Sequence, residues 1–303
     1  MNGLSVLIID DEKTQAENLE KALKQKEIGY FLMTASEEDD ILKKVEYCYY
    51  DVAIIDLRMS RFSINGFQII EKIKEINPFS KIIVASAFVE EYPKEITAIL
   101  SLGNIIGIVE KKTFELFISE INDLLKIRQQ ELKNNPDISV QSLRSAYSSL
   151  KNETDTYKKG IMFEYFLSSL FGHVGFTKIF NRIIDKSRNE VDLAIRNEIP
   201  DVFFQKFKQY ILIECKNKPD EGIGKNDFIT FQAKIKNTNG LCDLGVMATT
   251  GHIKKTTYLE ALRDSGNERK IIFLSNPEIE LLINSQNRLE SFKEIIDFQV
   301  KDN

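Results

Sequence analysis

Five positions in the first 111 residues have the types and spacing of a site that handles phosphate and a metal ion. Asp10 and Asp11 follow the apolar run Leu4–Ile9, and Asp56 follows Val52-Ala53-Ile54-Ile55. Three carboxylates brought together repel one another unless a cation sits among them. Mg2+ is the hard, oxygen-seeking ion that suits such a set and keeps room for a phosphate. Ser86, just past the run 82–85, can hydrogen-bond a phosphoryl oxygen, and Lys111, just past the run 105–109, can pair with its charge.

A second set lies further along. Glu190-Val191-Asp192-Leu193-Ala194 and Ile211-Leu212-Ile213-Glu214-Cys215-Lys216 alternate apolar and charged residues. As two strands of one sheet they bring Asp192 and Glu214 side by side, and Lys216, two residues after Glu214, points to the same face. Two carboxylates and a lysine on one face can hydrolyse a phosphodiester. The acids hold Mg2+, which polarises the phosphate and acidifies water, while the lysine orients or deprotonates that water and offsets the developing charge. Glu164, on an apolar helical stretch, can face the same metal. Lys225, Lys234, Lys236, Lys254 and Lys255 surround this set in sequence and can contact DNA phosphates.

The elements that must position these residues divide the chain in two. Apolar runs at 4–9, 30–34, 52–55, 82–85 and 105–109 alternate with helical periodicity through Ala16, Leu19, Ala22 and Leu23 and at 66–76, 91–101 and 113–132, which predicts a five-stranded, doubly wound parallel sheet. The polar segment Lys133–Asp137, with Pro136, ends the last of these helices and marks the boundary. We therefore expect domains at 1–132 and 157–303, joined over 133–156 by a linker and a connecting helix at 139–151. Beyond it, a helix is expected at 157–171, strands at 176–183, 190–196, 209–215, 243–249 and 271–274, a helix at 226–237, and a helical tail at 277–296.

Composition excludes several classes. At 303 residues, 43% hydrophobic and 29% charged, the chain is globular and long enough for two domains. No apolar run approaches the ~18 residues of a membrane span, and the start has no signal-peptide pattern, so we expect a cytoplasmic protein with no membrane partner. Three scattered cysteines and two histidines exclude a disulfide framework and histidine zinc chemistry. His173 and the phenylalanines of 163–171 read as core, His252 as a loop residue, and Cys215 as buried. Gly224-Lys225 has Pro219 where a Walker motif needs its first glycine, so ATP-driven translocation is not encoded. The net charge of −5 is unevenly spread: residues 1–135 carry 17 basic and 23 acidic side chains, and residues 136–303 carry 24 and 23.

Val6-Leu7-Ile8-Ile9-Asp10-Asp11-Glu12, Ile54-Ile55-Asp56-Leu57-Arg58-Met59, Asn65-Gly66-Phe67 and Gly107-Ile108-Val109-Glu110-Lys111 resemble the receiver domain of bacterial response regulators, which has the flavodoxin-like fold. The resemblance implies that Asp56 is the phosphoacceptor, that Asp10 and Asp11 hold Mg2+ with it, and that Ser86 and Lys111 read the phosphorylated state. Ser60 and Lys112 replace the family's usual prolines, two extra residues precede Asn65, and Ile108 stands where an aromatic residue is common. The second half, over roughly 157–255, resembles the α/β restriction-endonuclease-like fold, most closely the Mrr-type nucleases of the PD-(D/E)xK superfamily. Gly160-Ile161-Met162-Phe163-Glu164 and Gly245-Val246-Met247-Ala248-Thr249-Thr250-Gly251 carry this resemblance with the acid and lysine set. It implies Asp192 and Glu214 as ligands of one or two Mg2+, Lys216 as catalytic lysine, Glu164 as accessory acid and Gln232 as a supporting polar residue. The proline that names the superfamily is absent, and an insert around 200–208 lengthens the Asp192–Glu214 link.

Together these readings describe a response regulator whose output is a Mg2+-dependent DNA endonuclease, phosphorylated by a sensor histidine kinase and dimerising when phosphorylated. The layout resembles defensive two-component systems against phage. A DNA-binding output that does not cut, or a phosphate-relay or interaction protein, are the alternatives. A helix-turn-helix output does not fit residues 176–249, which read as β-rich.

Overall fold

In the computed structural model the described residues are 4–26, 29–77, 79–87, 89–134, 136–184, 190–263 and 269–301. The chain divides into two compact units, 1–139 and 140–303.

The first unit runs β1 (Leu4–Ile9), α1 (Lys13–Lys26), β2 (Tyr30–Ala35), α2 (Glu38–Tyr47), β3 (Val52–Asp56), α3 (Gly66–Ile76), β4 (Lys81–Ser86), α4 (Pro93–Leu100), β5 (Ile105–Glu110) and α5 (Phe114–Asn134). Every strand pairs in parallel, in the order β2-β1-β3-β4-β5. Because side chains alternate along a strand, Val6 and Ile8 face α1 and α5 through Leu19, Leu23, Ile121 and Leu125, whereas Leu7 and Ile9 face α2 and α3 through Ile41, Val45, Ile70 and Ile73. Burial on both faces explains why these strands read as continuous apolar runs. The expected five-stranded doubly wound sheet is present.

The linker expected over 133–137 is helical on both sides of Asn135, which lies outside the described residues, as do Met1–Gly3 of the expected start. A proline in a first helical turn costs little, since its missing N–H has no partner there; hence α6 begins at Pro136 (Pro136–Asn152). Within the second unit α6 buries Leu143, Ala146, Tyr147 and Leu150, and the Tyr147 ring stacks on Phe166. After it come α7 (Thr156–Val174), β6 (Ile179–Ile184), β7 (Glu190–Arg196), β8 (Tyr210–Lys216), β9 (Gly222–Ile223), α8 (Lys225–Lys236), β10 (Cys242–Thr249), β11 (His252–Ile253), α9 (Lys255–Arg263), β12 (Lys270–Leu274), α10 (Asn276–Asn284) and α11 (Arg288–Lys301).

The main sheet of this unit is ordered β12-β10-β8-β7-β6. β6, β7 and β8 are antiparallel neighbours, and β8, β10 and β12 are parallel. The insert at 200–208 folds into a short 3-10 turn, Phe204–Lys206, whose Phe204 is fully buried against Phe176 and Phe292. Two expectations are corrected. The helical tail is two helices, because Ser285 is extended and Asn287 restarts the helix by accepting from the Glu290 N–H at 3.3 Å. His252 stands in the two-residue strand β11, paired with Gly222, and not in a loop. Among the described residues no helix is long and apolar enough to cross a membrane.

Candidate functional sites

The carboxyl ends of parallel strands form the crevice where doubly wound sheets bind ligands. Here β1 delivers Asp10 and Asp11, β3 delivers Asp56, and β5 leads into Lys111. One carboxylate oxygen of each aspartate lies within 4.8 Å of the others, and Asp10 and Asp11 are buried. Lys111 Nζ donates to Asp10 Oδ2 at 2.7 Å, Asp56 Oδ2 at 2.8 Å and Gln15 Oε1 at 3.1 Å. Burial lifts the Asp56 carboxyl above its ordinary range; Lys111 opposes this and Asp10 adds to it. Burial would lower the Lys111 ammonium, but the charges of Asp56 and Asp10 outweigh it and hold the group above its ordinary value. Three converging acids and one lysine leave negative charge in excess, and a divalent cation fits that donor set.

Local structure holds this geometry. The Glu12 N–H donates to Asp10 Oδ1 at 2.9 Å, and the Arg61 N–H donates to Asp11 Oδ2 at 3.2 Å. The lengthened loop before α3 is thereby tied back to the pocket, and Ser63 anchors it to Glu38. Asn65 and Gln68 form a reciprocal cap for α3. At Gly66 a Cβ would stand 2.2 Å from the Asp56 carbonyl oxygen, so the chain passes behind Asp56 only with glycine there. Ser86 ends β4, fully buried, and its carbonyl accepts the Lys111 N–H at 3.1 Å.

In the second unit, the β7–β8 ladder pairs Arg196 with Tyr210 through to Leu193 with Ile213 and ends there. The next residues inward are Asp192 and Glu214, so both acids stand where the strands part. Asp192 Oδ2 accepts the Cys215 N–H at 2.6 Å. Lys216 Nζ donates to Glu214 Oε1 at 2.9 Å, and Lys234 Nζ, from α8, donates to Glu214 Oε2 at 2.7 Å. Burial first, and the Glu214 charge second, push the Asp192 carboxyl up. Glu164, from α7, is pushed up to about 7 by burial against the pull of Arg182, with Asp192 and Glu190 adding to the rise. The Lys216 ammonium stays above its ordinary value because Glu214 and Asp192 outweigh its burial.

The structure thus brings together Asp192, Glu214 and Lys216, with Glu164 close enough to feel Asp192. It does not bring Gln232 to them by any hydrogen bond among the described residues. Gln232 sits two residues before Lys234 on α8, about 160° round the helix from it at 3.6 residues per turn. Lys234 is the partner that sequence reasoning grouped with surface lysines. Its position three residues after the buried Phe231 places it beside the apolar stripe of α8, a signal that was readable. Lys225, Lys236, Lys254 and Lys255 are exposed, Lys225 pairing with Glu260. Cys215 is half-buried, and the His173 ring lies against the Ser169 carbonyl at 2.8 Å.

Arg182 and Asn217 also belong to this neighbourhood. Arg182 Nε donates to Glu164 Oε2 at 2.9 Å, and its guanidinium lies 5.7 Å from the Tyr157 ring. Its φ of 50° is left-handed, at the step between the Asn181–Leu193 and Ile183–Val191 pairs that passes Asp192. No side-chain type signals such a backbone. Asn217, directly after Lys216, donates to the carbonyls of Lys159 at 2.8 Å and Leu150 at 3.4 Å, and accepts from Thr250 at 2.8 Å. At Gly251 a Cβ would stand 2.1 Å from the Glu221 carbonyl oxygen, which is why the turn after β10 needs glycine.

Residues 6–121 match the family model of the response regulator receiver domain. A CheY-like response regulator receiver domain protein from Methanospirillum hungatei JF-1 is similar in structure, at 18% identity and TM-score 0.37, over 43% of this chain and 98% of that one. Response regulator protein TrrA from Thermotoga maritima, in complex with Mg2+-BeF, is 26% identical over 40% of this chain and 98% of that one, at TM-score 0.33. The receiver domain of Francisella response regulator 1452 is 20% identical over 42% of this chain and 99% of that one, at TM-score 0.35. No curated protein matches the chain. By this match the N-terminal unit carries a response regulator receiver domain, the module of phosphorylation-controlled signalling; receiver domains bind Mg2+ at an acidic pocket and are typically phosphorylated by sensor histidine kinases.

Proposed function

We propose that this receiver domain controls a Mg2+-dependent DNA endonuclease formed by the second unit. The observation that carries the reading is the meeting of Asp192, Glu214 and Lys216 where β7 and β8 part. Burial first and the Glu214 charge second make Asp192 costly to ionise there, a cost that a bound cation would relieve.

In the receiver, Asp56 would accept the phosphoryl group, Asp10, Asp11 and Asp56 would hold Mg2+, Lys111 would pair with the new charge, and Ser86 would hydrogen-bond a phosphoryl oxygen. In the second unit, Asp192 and Glu214 would hold one or two Mg2+. The ion there supplies positive charge that polarises a phosphodiester and makes water a better nucleophile. Lys216, hydrogen-bonded to Glu214 at 2.9 Å, would orient or deprotonate water and offset developing charge. Lys234, released from Glu214, is a second cation within reach of the phosphate. Glu164, held by Arg182, would stand as accessory acid, and Gln232, which makes no hydrogen bond to the set among the described residues, is left without a role. α6 leads from the receiver side into the second unit and ends on Asn217, next to Lys216, a route by which phosphorylation, with receiver pairing, would reach the site. A kinase-gated nuclease suits defence against phage.

The test is plasmid cleavage by the full chain. Mg2+ should give nicked and linear products, and Ca2+ or a chelator should not. Lys216→Ala should slow cutting by about 10²–10³-fold, the range for losing one charge-stabilising donor. Equal cutting by wild type and Lys216→Ala would overturn the assignment.

A second reading, binding without cutting, is favoured by one observation: both oxygens of Glu214 are already taken by lysines. It expects DNA affinity that is the same with Mg2+ and with chelator, and no products.

A further inference from the structure

We propose that the apolar cleft beside the carboxylate cluster of the second unit binds one unstacked nucleobase of a nucleic-acid strand. This rests on the phosphodiester reading of that cluster and deepens it by naming what the strand presents.

The cleft holds about 450 Å³, within the range of roughly 300–1,000 Å³ typical of small-ligand sites. It lies over the β6-β7-β8 part of the sheet, past the C-terminal end of α8. Phe180 and Tyr210 offer aromatic faces, Ala194 and Leu212 form its floor, and Lys234 and Asn237 stand among its lining residues. Three relations tie it to the cluster. Ala194 and Leu212 are a cross-strand pair. Leu212 stands two residues before Glu214 on the same face of β8, roughly 7 Å along the strand, a span that one sugar bridges. Lys234 lines the cleft and also holds Glu214 at 2.7 Å, so cleft and acids share one wall.

A phosphate drawn to Lys216 and Lys234 would therefore leave an adjacent base at the cleft mouth. A base is the part of a nucleic acid that gains from apolar walls and aromatic faces, and stacking of this kind tolerates any sequence. The Thr238 hydroxyl is engaged by the Ile235 carbonyl at 2.8 Å, which leaves the Asn237 amide to meet the base edge. Because a paired base is not free to enter, the inference favours single-stranded or locally opened substrate.

The test uses the full chain in the Lys216→Ala background, with fluorescence anisotropy of an end-labelled single-stranded oligonucleotide and of an abasic oligonucleotide of equal length. The intact strand should bind about tenfold or more tightly than the abasic one. Phe180→Ala and Asn237→Trp, the second filling the cleft from an exposed position, should each abolish that preference. Preference retained in both variants overturns the proposal, as does a monomer–dimer equilibrium that Asn237→Trp shifts while base preference is unchanged, which would make the cleft a self-association face. The outcomes separate the two readings. If the chain with Lys216 intact cuts plasmid, and Phe180→Ala and Asn237→Trp made in that same chain cut like it and keep the base preference in the Lys216→Ala background, the nuclease stands and the cleft assignment falls. If nothing is cut but base-dependent binding is lost in both variants, the cleft stands and the nuclease falls.

Discussion

Asp56 and Glu164 are both carboxyls lifted by burial and held by a cation, Lys111 in one case and Arg182 in the other. For Glu164 the consequence is a dependence of stability on pH. Its folded value of about 7 lies above the ordinary 4.5, so between these values the folded chain binds the proton more tightly than the unfolded one. The contribution is fully present below about pH 4.5 and is lost as pH rises through 7, by at most about 3 kcal/mol. Urea unfolding of the second unit at pH 5 to 8 should show stability falling with pH, and Glu164→Gln should flatten the slope. A variant slope equal to wild type would contradict the account. At Gly66 the clash is with backbone and cannot be relieved by a rotamer. Gly66→Ala should lower receiver stability by more than about 2 kcal/mol, read from the unfolding of the receiver unit, and an unchanged midpoint would refute it. Residue positions were legible wherever an acid ended an apolar run. They were not where a fold-made backbone decides, as at Arg182, or where a lysine's partner is distant in sequence, as with Lys234 and Glu214.

Among the elements, those buried on both faces were the most legible, since β1, β3, β4, β8 and β10 are nearly continuous apolar runs. The two-residue strands β9 and β11 and the helix α9 were not, because their order comes from tertiary bonds such as the Thr257 hydroxyl to the Ile223 carbonyl at 2.8 Å. The break between α10 and α11 was missed because the apolar period runs on across it, while Ser285 and Asn287 act through their caps. α6 is the element with most consequence. Asn217 ties its last turn, the start of α7 and the end of β10 together beside Lys216. Asn217→Ala should cost about 1–3 kcal/mol through its unpaired carbonyl partners, measured by denaturation of the second unit. It should also weaken phosphorylation dependence more than basal cutting. A variant as stable and as switchable as wild type would remove α6 from the route.

Over the whole molecule, charge follows the division into units. The acidic excess belongs to the receiver half, where Asp10, Asp11 and Asp56 make part of it, while the near-balanced second half combines an acidic cluster with exposed Lys225, Lys236, Lys254 and Lys255. Near-neutrality permits both a cation among the acids and a phosphate backbone along the lysines. The central claim is that phosphorylation of one unit governs hydrolysis by the other. It is tested most directly by plasmid cleavage in Mg2+ with and without a small-molecule phosphodonor, comparing wild type with Asp56→Ala. The account predicts a cleavage rate that changes with the donor in wild type and not in Asp56→Ala, with Lys216→Ala slowed by about 10²–10³-fold in both conditions. Cutting that is identical with and without donor in wild type, or no cutting by wild type in either, would contradict it.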